Sequence, residues 1–274
     1  MAQFYLKDDA NQLNRTSPHS ESAVTSGSQP SLSKRRKFLQ MAVRGAVAGF
    51  VTPAGMEFVT PSSVRAQSTL TPKMALRELV EGNKRFVAVN LTSFDQDLAI
   101  LRNHTSELQQ PFAAVLACAD SRVPVELVFD QTIGQIFVTR VAGNIATSEI
   151  IASLEYGVQV LGAKVILVMG HSSCGAVEAA IPGKIVPGQI SALYPHIQPA
   201  IDLAGPDVDA TAKANAKFQA GLLRKASTVI SGLIKEGKLL VRAGFYNIAS
   251  GEVSLLPTSG ADSLLEPTDT DNSG

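Results

Sequence analysis

Two short clusters hold the residues able to do chemistry. Cys118-Ala-Asp120-Ser-Arg122 closes one apolar run and His171-Ser-Ser-Cys174 closes another 53 positions later, and together they contain both cysteines of the chain. Two thiolates and an imidazole form a donor set that a borderline-soft ion such as zinc prefers. Three protein ligands leave a fourth position for water or substrate. Such a centre does hydrolytic or hydrative chemistry. In an exported protein two cysteines can instead form a structural disulfide. A disulfide, however, has no use for His171 three residues before Cys174, nor for Asp120 and Arg122 beside Cys118. Taken alone, Asp120 and Arg122 also read as a plain salt bridge, and Gly143-Asn144 as an ordinary turn dipeptide. The lone histidines His104 and His196 read as surface or capping residues and stay outside the site.

The flanking patterns say what must position these groups. Pro111–Ala117 and Lys164–Gly170 are short apolar runs that read as buried strands. They deliver Cys118, Asp120 and His171 to carboxyl strand ends, where open parallel sheets form their ligand sites. Cys174 stands at the opening of a helical stretch, 174–181, at a positive dipole end that favours a thiolate. Further out, Thr71-Pro72 opens a helix reaching roughly Asn90. Strand candidates 112–117, 135–140 and 165–170 alternate with helical stretches 124–129, 148–161 and 174–181. Helices over 189–203 and 211–236 follow, then a hairpin of Leu239–Ile248 and Glu252–Leu256 around Ser250-Gly251. The alternation predicts an α/β fold: a central, mostly parallel sheet with covering helices and a C-terminal β-hairpin.

The termini have a different character. Residues 1–32 are polar and lack a hydrophobic period. Arg35-Arg36 with Phe38-Leu39, the mildly apolar stretch Met41–Val51 and Val64-Arg-Ala66 then follow in the order of a twin-arginine export signal, with cleavage expected after Ala66. This predicts a periplasmic protein, with a thylakoid lumen as the other compartment that fits. Membrane contact arises only if the signal is not cleaved, because Arg44 and Pro53 keep the apolar stretch well short of the ~20 residues a span needs. The folded domain is expected over 67–257 and a flexible polar tail over 258–274. The 274 residues carry 24 basic and 24 acidic side chains, a balance that argues against nucleic acid or an anionic membrane surface as partner.

With these residues in view, the chain resembles the β-class carbonic anhydrases. Cys-x-Asp-x-Arg and His-x-x-Cys are both intact. Glu81-Gly-Asn-Lys-Arg-Phe86, Val141-Ala-Gly-Asn144 and Ser153-Leu-Glu-Tyr-Gly157 resemble that family in the same order, over roughly residues 72–257. The resemblance implies reversible hydration of carbon dioxide to bicarbonate and a proton, with one Zn2+ per subunit on Cys118, His171 and Cys174. It implies two states for Asp120: fourth metal ligand in a closed site, or paired with Arg122 and free to orient the attacking oxygen. The backbone N–H of Gly175 becomes a candidate donor to the substrate oxygen. An N-terminal helix extending to a partner subunit, and a homodimer or dimer of dimers, are implied as well. Two thiolates donate more charge than neutral imidazoles, so activity is expected to rise into the alkaline range. Two other readings share the same centre: a hydrolase of carbon disulfide or carbonyl sulfide, and a noncatalytic zinc- or bicarbonate-binding protein.

Overall fold

The computed structural model describes residues 68–93, 102, 105–106, 108–184 and 186–257. The chain divides into two units, Met1–Phe58 and Val59–Gly274, and every described residue belongs to the second. The expected leader, export signal and polar tail lie outside the described residues.

A five-stranded sheet organises the domain. Its strands are β1 (Ala113–Ala117), β2 (Ile136–Arg140), β3 (Val165–His171), β4 (Leu240–Tyr246) and β5 (Val253–Leu255), in the spatial order β2-β1-β3-β4-β5. The first four run parallel, and β5 returns antiparallel to β4. All residues of the central strands β1 and β3 are buried, as expected for strands covered on both faces. The two-residue period then splits them. Ala113, Val115 and Ala117 pack on one side with Val165, Leu167 and Met169, while Ala114, Leu116 and Cys118 face the other with Ile166 and Val168.

Helices cover both faces. α1 (Pro72–Val87) starts where expected: Thr71 Oγ1 accepts from Met74 N, and Pro72 occupies the first turn. It buries Ala75, Leu79, Gly82 and Asn83 against its own domain, leaving Met74 and Val87 about half exposed. Asn83 ties the helix to the rest of the domain by donating to Val128 O and Gly251 O and accepting from Val253 N. α2 (Val125–Val128) lies between β1 and β2, α3 (Ser148–Glu155) between β2 and β3, and α4 (Gly175–Ala180) directly after β3. α5 (Tyr194–Ala204), α6 (Val208–Ala226) and α7 (Thr228–Lys235) lie between β3 and β4.

Two boundaries differ from the sequence reading. The single helix expected over 211–236 is two, because Ser227 ends α6 and caps α7. Its hydroxyl accepts from Ile230 N and donates to Glu155 Oε1, a long-range bond that local propensity does not reveal. The helix expected over 148–161 is α-helical to Glu155 and widens into a π turn over Tyr156–Val160. Among the described residues no helix is long and apolar enough to cross a membrane.

Candidate metal centre

The strand order reverses between β1 and β3, so a crevice opens at their carboxyl ends. Cys118 follows the last residue of β1, and His171 is the last residue of β3. A two-residue turn later, Cys174 precedes α4. The three are buried, and their ligand atoms all lie within 4.8 Å of one another. The sulfurs stand 4.0 Å apart and both cysteines are free. A disulfide needs about 2.05 Å, whereas two zinc–sulfur bonds of about 2.3 Å at a tetrahedral angle separate sulfurs by about 3.8 Å.

The imidazole supplies the stronger test of fit. His171 is fully buried, and its Nε2 has no hydrogen-bond partner. A buried ring nitrogen without a partner costs about 1–3 kcal/mol unless something binds it. The other nitrogen, Nδ1, lies 2.9 Å from Ser172 O. Donation to that carbonyl sets the tautomer and leaves the Nε2 lone pair facing the sulfurs, the arrangement metal-ligating histidines use. The donor set and its one unpartnered atom fit a zinc ion.

The turn carrying this set is shaped from outside. Ser172 N donates to Tyr246 O, Ser172 Oγ accepts from Ile248 N, and Ser173 N donates to Asp209 Oδ1. These bonds hold Ser173 at a left-handed φ of 52°. Gly170, just before, lets α6 approach: an added Cβ would lie 2.8 Å from Ala212 O.

Electrostatics favour thiolate at Cys118. Its pKa falls to about 4, first through the hydrogen bond with Cys174, against the cost of burial, with help from His171 and the Gly143 N–H. Cys174 is pushed up by the same contact, by burial and by the nearby Cys118 charge. The metal-free pair thus holds one proton between two sulfurs, and a divalent ion would displace it.

Asp120 and Arg122 meet side on. Arg122 donates from Nε to Oδ1 at 3.0 Å, from a terminal nitrogen to Oδ2 at 2.7 Å, and from its backbone N–H to Oδ1 at 2.9 Å. It also donates to Ser173 O at 3.1 Å, spanning the two motifs. The guanidinium holds the Asp120 carboxyl well below the usual carboxylate range, so it stays ionised. Oδ2 lies 3.9 Å from His171 Nε2. Gly175 is exposed at the start of α4, with nothing within 4 Å of where a Cβ would stand.

Two contributors went unread in the sequence. Gly143, expected only to turn the chain, donates its N–H to Cys118 Sγ at 3.3 Å. It sits at φ 75°, and an added Cβ would lie 2.9 Å from Ile197 Cδ1. The left-handed backbone alone costs a side-chain-bearing residue about 1–2 kcal/mol. Arg140, the last residue of β2, donates to Cys118 O and Asp120 O, pinning the backbone of the first motif. The position of Arg140 at a predicted strand end was the only signal for it. His196 stays outside the cluster and His104 lies outside the described residues.

Residues 113–253 match the family model described as carbonic anhydrase. Carbonic anhydrase 2 of Mycobacterium tuberculosis is 34% identical over 195 residues, covering 67% of this chain and 92% of that protein. The carbonic anhydrase of Mycolicibacterium smegmatis is 34% identical over 192 residues, covering 67% and 93%. Among solved structures, the β-carbonic anhydrase CcaA superposes with a TM-score of 0.55 at 26% identity, over 66% of this chain and 94% of that one. Sequence match and shared architecture converge, and the chain belongs to the β-carbonic anhydrase family.

Proposed function

We propose that this protein is a zinc enzyme that hydrates carbon dioxide reversibly to bicarbonate and a proton, outside the cytoplasm. One observation carries the reading: the buried Cys118, His171 and Cys174 set, with His171 Nε2 unpartnered, stands beside an Asp120 whose two oxygens are both engaged by Arg122. That pairing is the open arrangement, in which the carboxylate is not a fourth ligand.

A zinc ion on the three donors supplies the Lewis acidity that makes water a nucleophile, at a pKa of about 7 in favourable sites. The chain's own residues do the rest. Asp120, kept ionised, accepts the hydrogen of the attacking oxygen and turns a lone pair of that oxygen toward the substrate carbon. Arg122 holds the carboxylate in that orientation and is itself anchored on Ser173 O. The Gly175 N–H, at the exposed head of α4, donates to the substrate oxygen that gains charge. Two thiolates in the donor set place the active form on the alkaline side, so the rate climbs from pH 7 toward pH 9.

Stopped-flow carbon dioxide hydration on the purified protein, with zinc quantified on the same sample at pH 7 and near pH 8.5, tests this. Activity proportional to zinc and abolished with the metal in Cys174→Ala supports the reading. Stoichiometric zinc without hydration at either pH overturns it in favour of a binding protein or a sulfur-substrate hydrolase, and a flat rate from pH 7 to 9 removes the thiolate argument. Location rests on the Arg35-Arg36 signal and Val64-Arg-Ala66, and is checked by the N-terminus of the mature protein recovered from the periplasm. Exposed Met74, Val87, Ile133 and Tyr156 support a homodimer or dimer of dimers, with α1 reaching the partner; light scattering coupled to size exclusion reads the mass.

A further inference from the structure

One helix carries buried polar side chains that the chemistry above does not use. Asn215 and Gln219, one turn apart on α6, are both fully buried, where polar side chains persist only if their hydrogen bonds are made. Gln219 Oε1 accepts from Ala146 N at 2.9 Å, and its Nε2 donates to His196 O at 2.9 Å and to Asn215 Oδ1 at 3.0 Å. Asn215 Nδ2 donates to Gly143 O at 2.8 Å. Each bond fixes which way the next amide points. The path therefore runs from α5 through two amides to Gly143, whose N–H meets Cys118 Sγ.

From this we infer that Asn215 and Gln219 are positioning residues for the metal centre. They brace the 142–146 turn from behind, so that the Gly143 N–H stays aimed at the Cys118 sulfur and the sulfur stays aimed at the metal. The turn needs such a brace because Gly143 and Asn144 both hold left-handed backbone, at φ 75° and 43°. Without a fixed partner for the Gly143 carbonyl, the turn relaxes and Cys118 loses its donor. Loss of a partner one step removed from a ligand, as the Gly143 N–H is from Cys118, typically changes metal affinity about 10- to 100-fold. The inference rests on the zinc reading above and extends it to residues more than 40 positions from any proposed ligand in sequence.

The experiment compares Asn215→Leu with Thr211→Val in the full chain. Thr211 is one turn earlier on the same helix, is equally buried, and donates instead to Gly205 O. Zinc transfer to a chromophoric chelator is timed, the thiolate-to-metal band of the cobalt-loaded protein is recorded, and thermal melting tracks the fold. Asn215→Leu is expected to release zinc about 10- to 100-fold faster than wild type and to shift the cobalt band. Thr211→Val should lower the melting temperature while matching wild type in both metal readouts. If Asn215→Leu does not fold, Gln219→Met carries the test, with a smaller acceleration in the same direction. Metal readouts in the tested α6 variant indistinguishable from Thr211→Val overturn the bracing role and leave the zinc reading standing. A wild-type chain that takes up neither zinc nor cobalt overturns the zinc reading itself.

Discussion

Two of the domain's carboxylate–guanidinium pairs, Asp130 with Arg85 and Asp120 with Arg122, differ in how many sides of the carboxylate are taken. The Asp130 side chain is 0% exposed. It accepts from Arg85 Nε, from the backbone N–H groups of Thr92 and Ser93, and from the Thr92 hydroxyl. Burial alone would raise its pKa, but Arg85 and these donors hold it well below the usual carboxylate range. Nothing is left for a ligand. Asp120 is gripped by Arg122 alone, and its side chain keeps 16% of its surface open next to His171 Nε2. The same two chemical groups make a fastener between α1, the following loop and the end of α2 in one place, and a partly open carboxylate beside the Cys118, His171 and Cys174 cluster in the other. What separates them is which lone pairs the surroundings leave unused.

If that contrast is right, substitutions should separate turnover from stability. Asp120→Asn is expected to lower hydration about 100- to 1000-fold at pH 8.5, with zinc content and melting temperature close to wild type; a comparable loss of stability would erase the distinction. Asp130→Asn keeps a residue that tolerates its left-handed φ of 46°. It should cost about 2–3 kcal/mol of unfolding free energy in urea, because Arg85 and the backbone donors lose a charged acceptor. Turnover per folded, metal-loaded molecule should hold.

Acid sharpens the same comparison. Both carboxylates titrate in the folded protein below the unfolded value of about 3.9. Each therefore contributes stability that is fully present above about pH 5 and is lost as pH falls through the folded-state value. The sealed Asp130 should account for more of the acid unfolding below about pH 4 than the screened Asp120. Asp130→Asn should flatten that limb more than Asp120→Asn, as read by circular dichroism against pH. The smallest effect is expected from Arg122→Lys, which keeps the charge but not the two-pronged grip. A fall in activity of about tenfold, with stability unmoved, would show that orientation of Asp120, beyond its ionisation, matters.

The cluster of Cys118, His171 and Cys174 was legible because its parts are local. Each motif is contiguous and directly follows a short, apolar run that reads as a buried strand, so Cys118 and His171 could be placed at strand ends from the sequence alone. The parallel sheet, the capped start of α1 and the C-terminal hairpin were legible for the same reason, since strand and helix periods and cap chemistry act over a few residues. The break at Ser227 was not, because it depends on Glu155, 72 positions away.

What the sequence by itself determined was therefore the candidate donor set Cys118, His171 and Cys174, the Asp120–Arg122 pair and the class of fold that carries them. Only the tertiary structure decided that Gly143 donates to Cys118, that Arg140 pins the backbone between Cys118 and Asp120, and that Asn215 and Gln219 stand behind the turn that carries Gly143. Glycine, arginine and amide residues have no local signature for such work. Each serves through a hydrogen bond in which one partner is a backbone N–H or C=O, and nearly every residue type presents that same backbone.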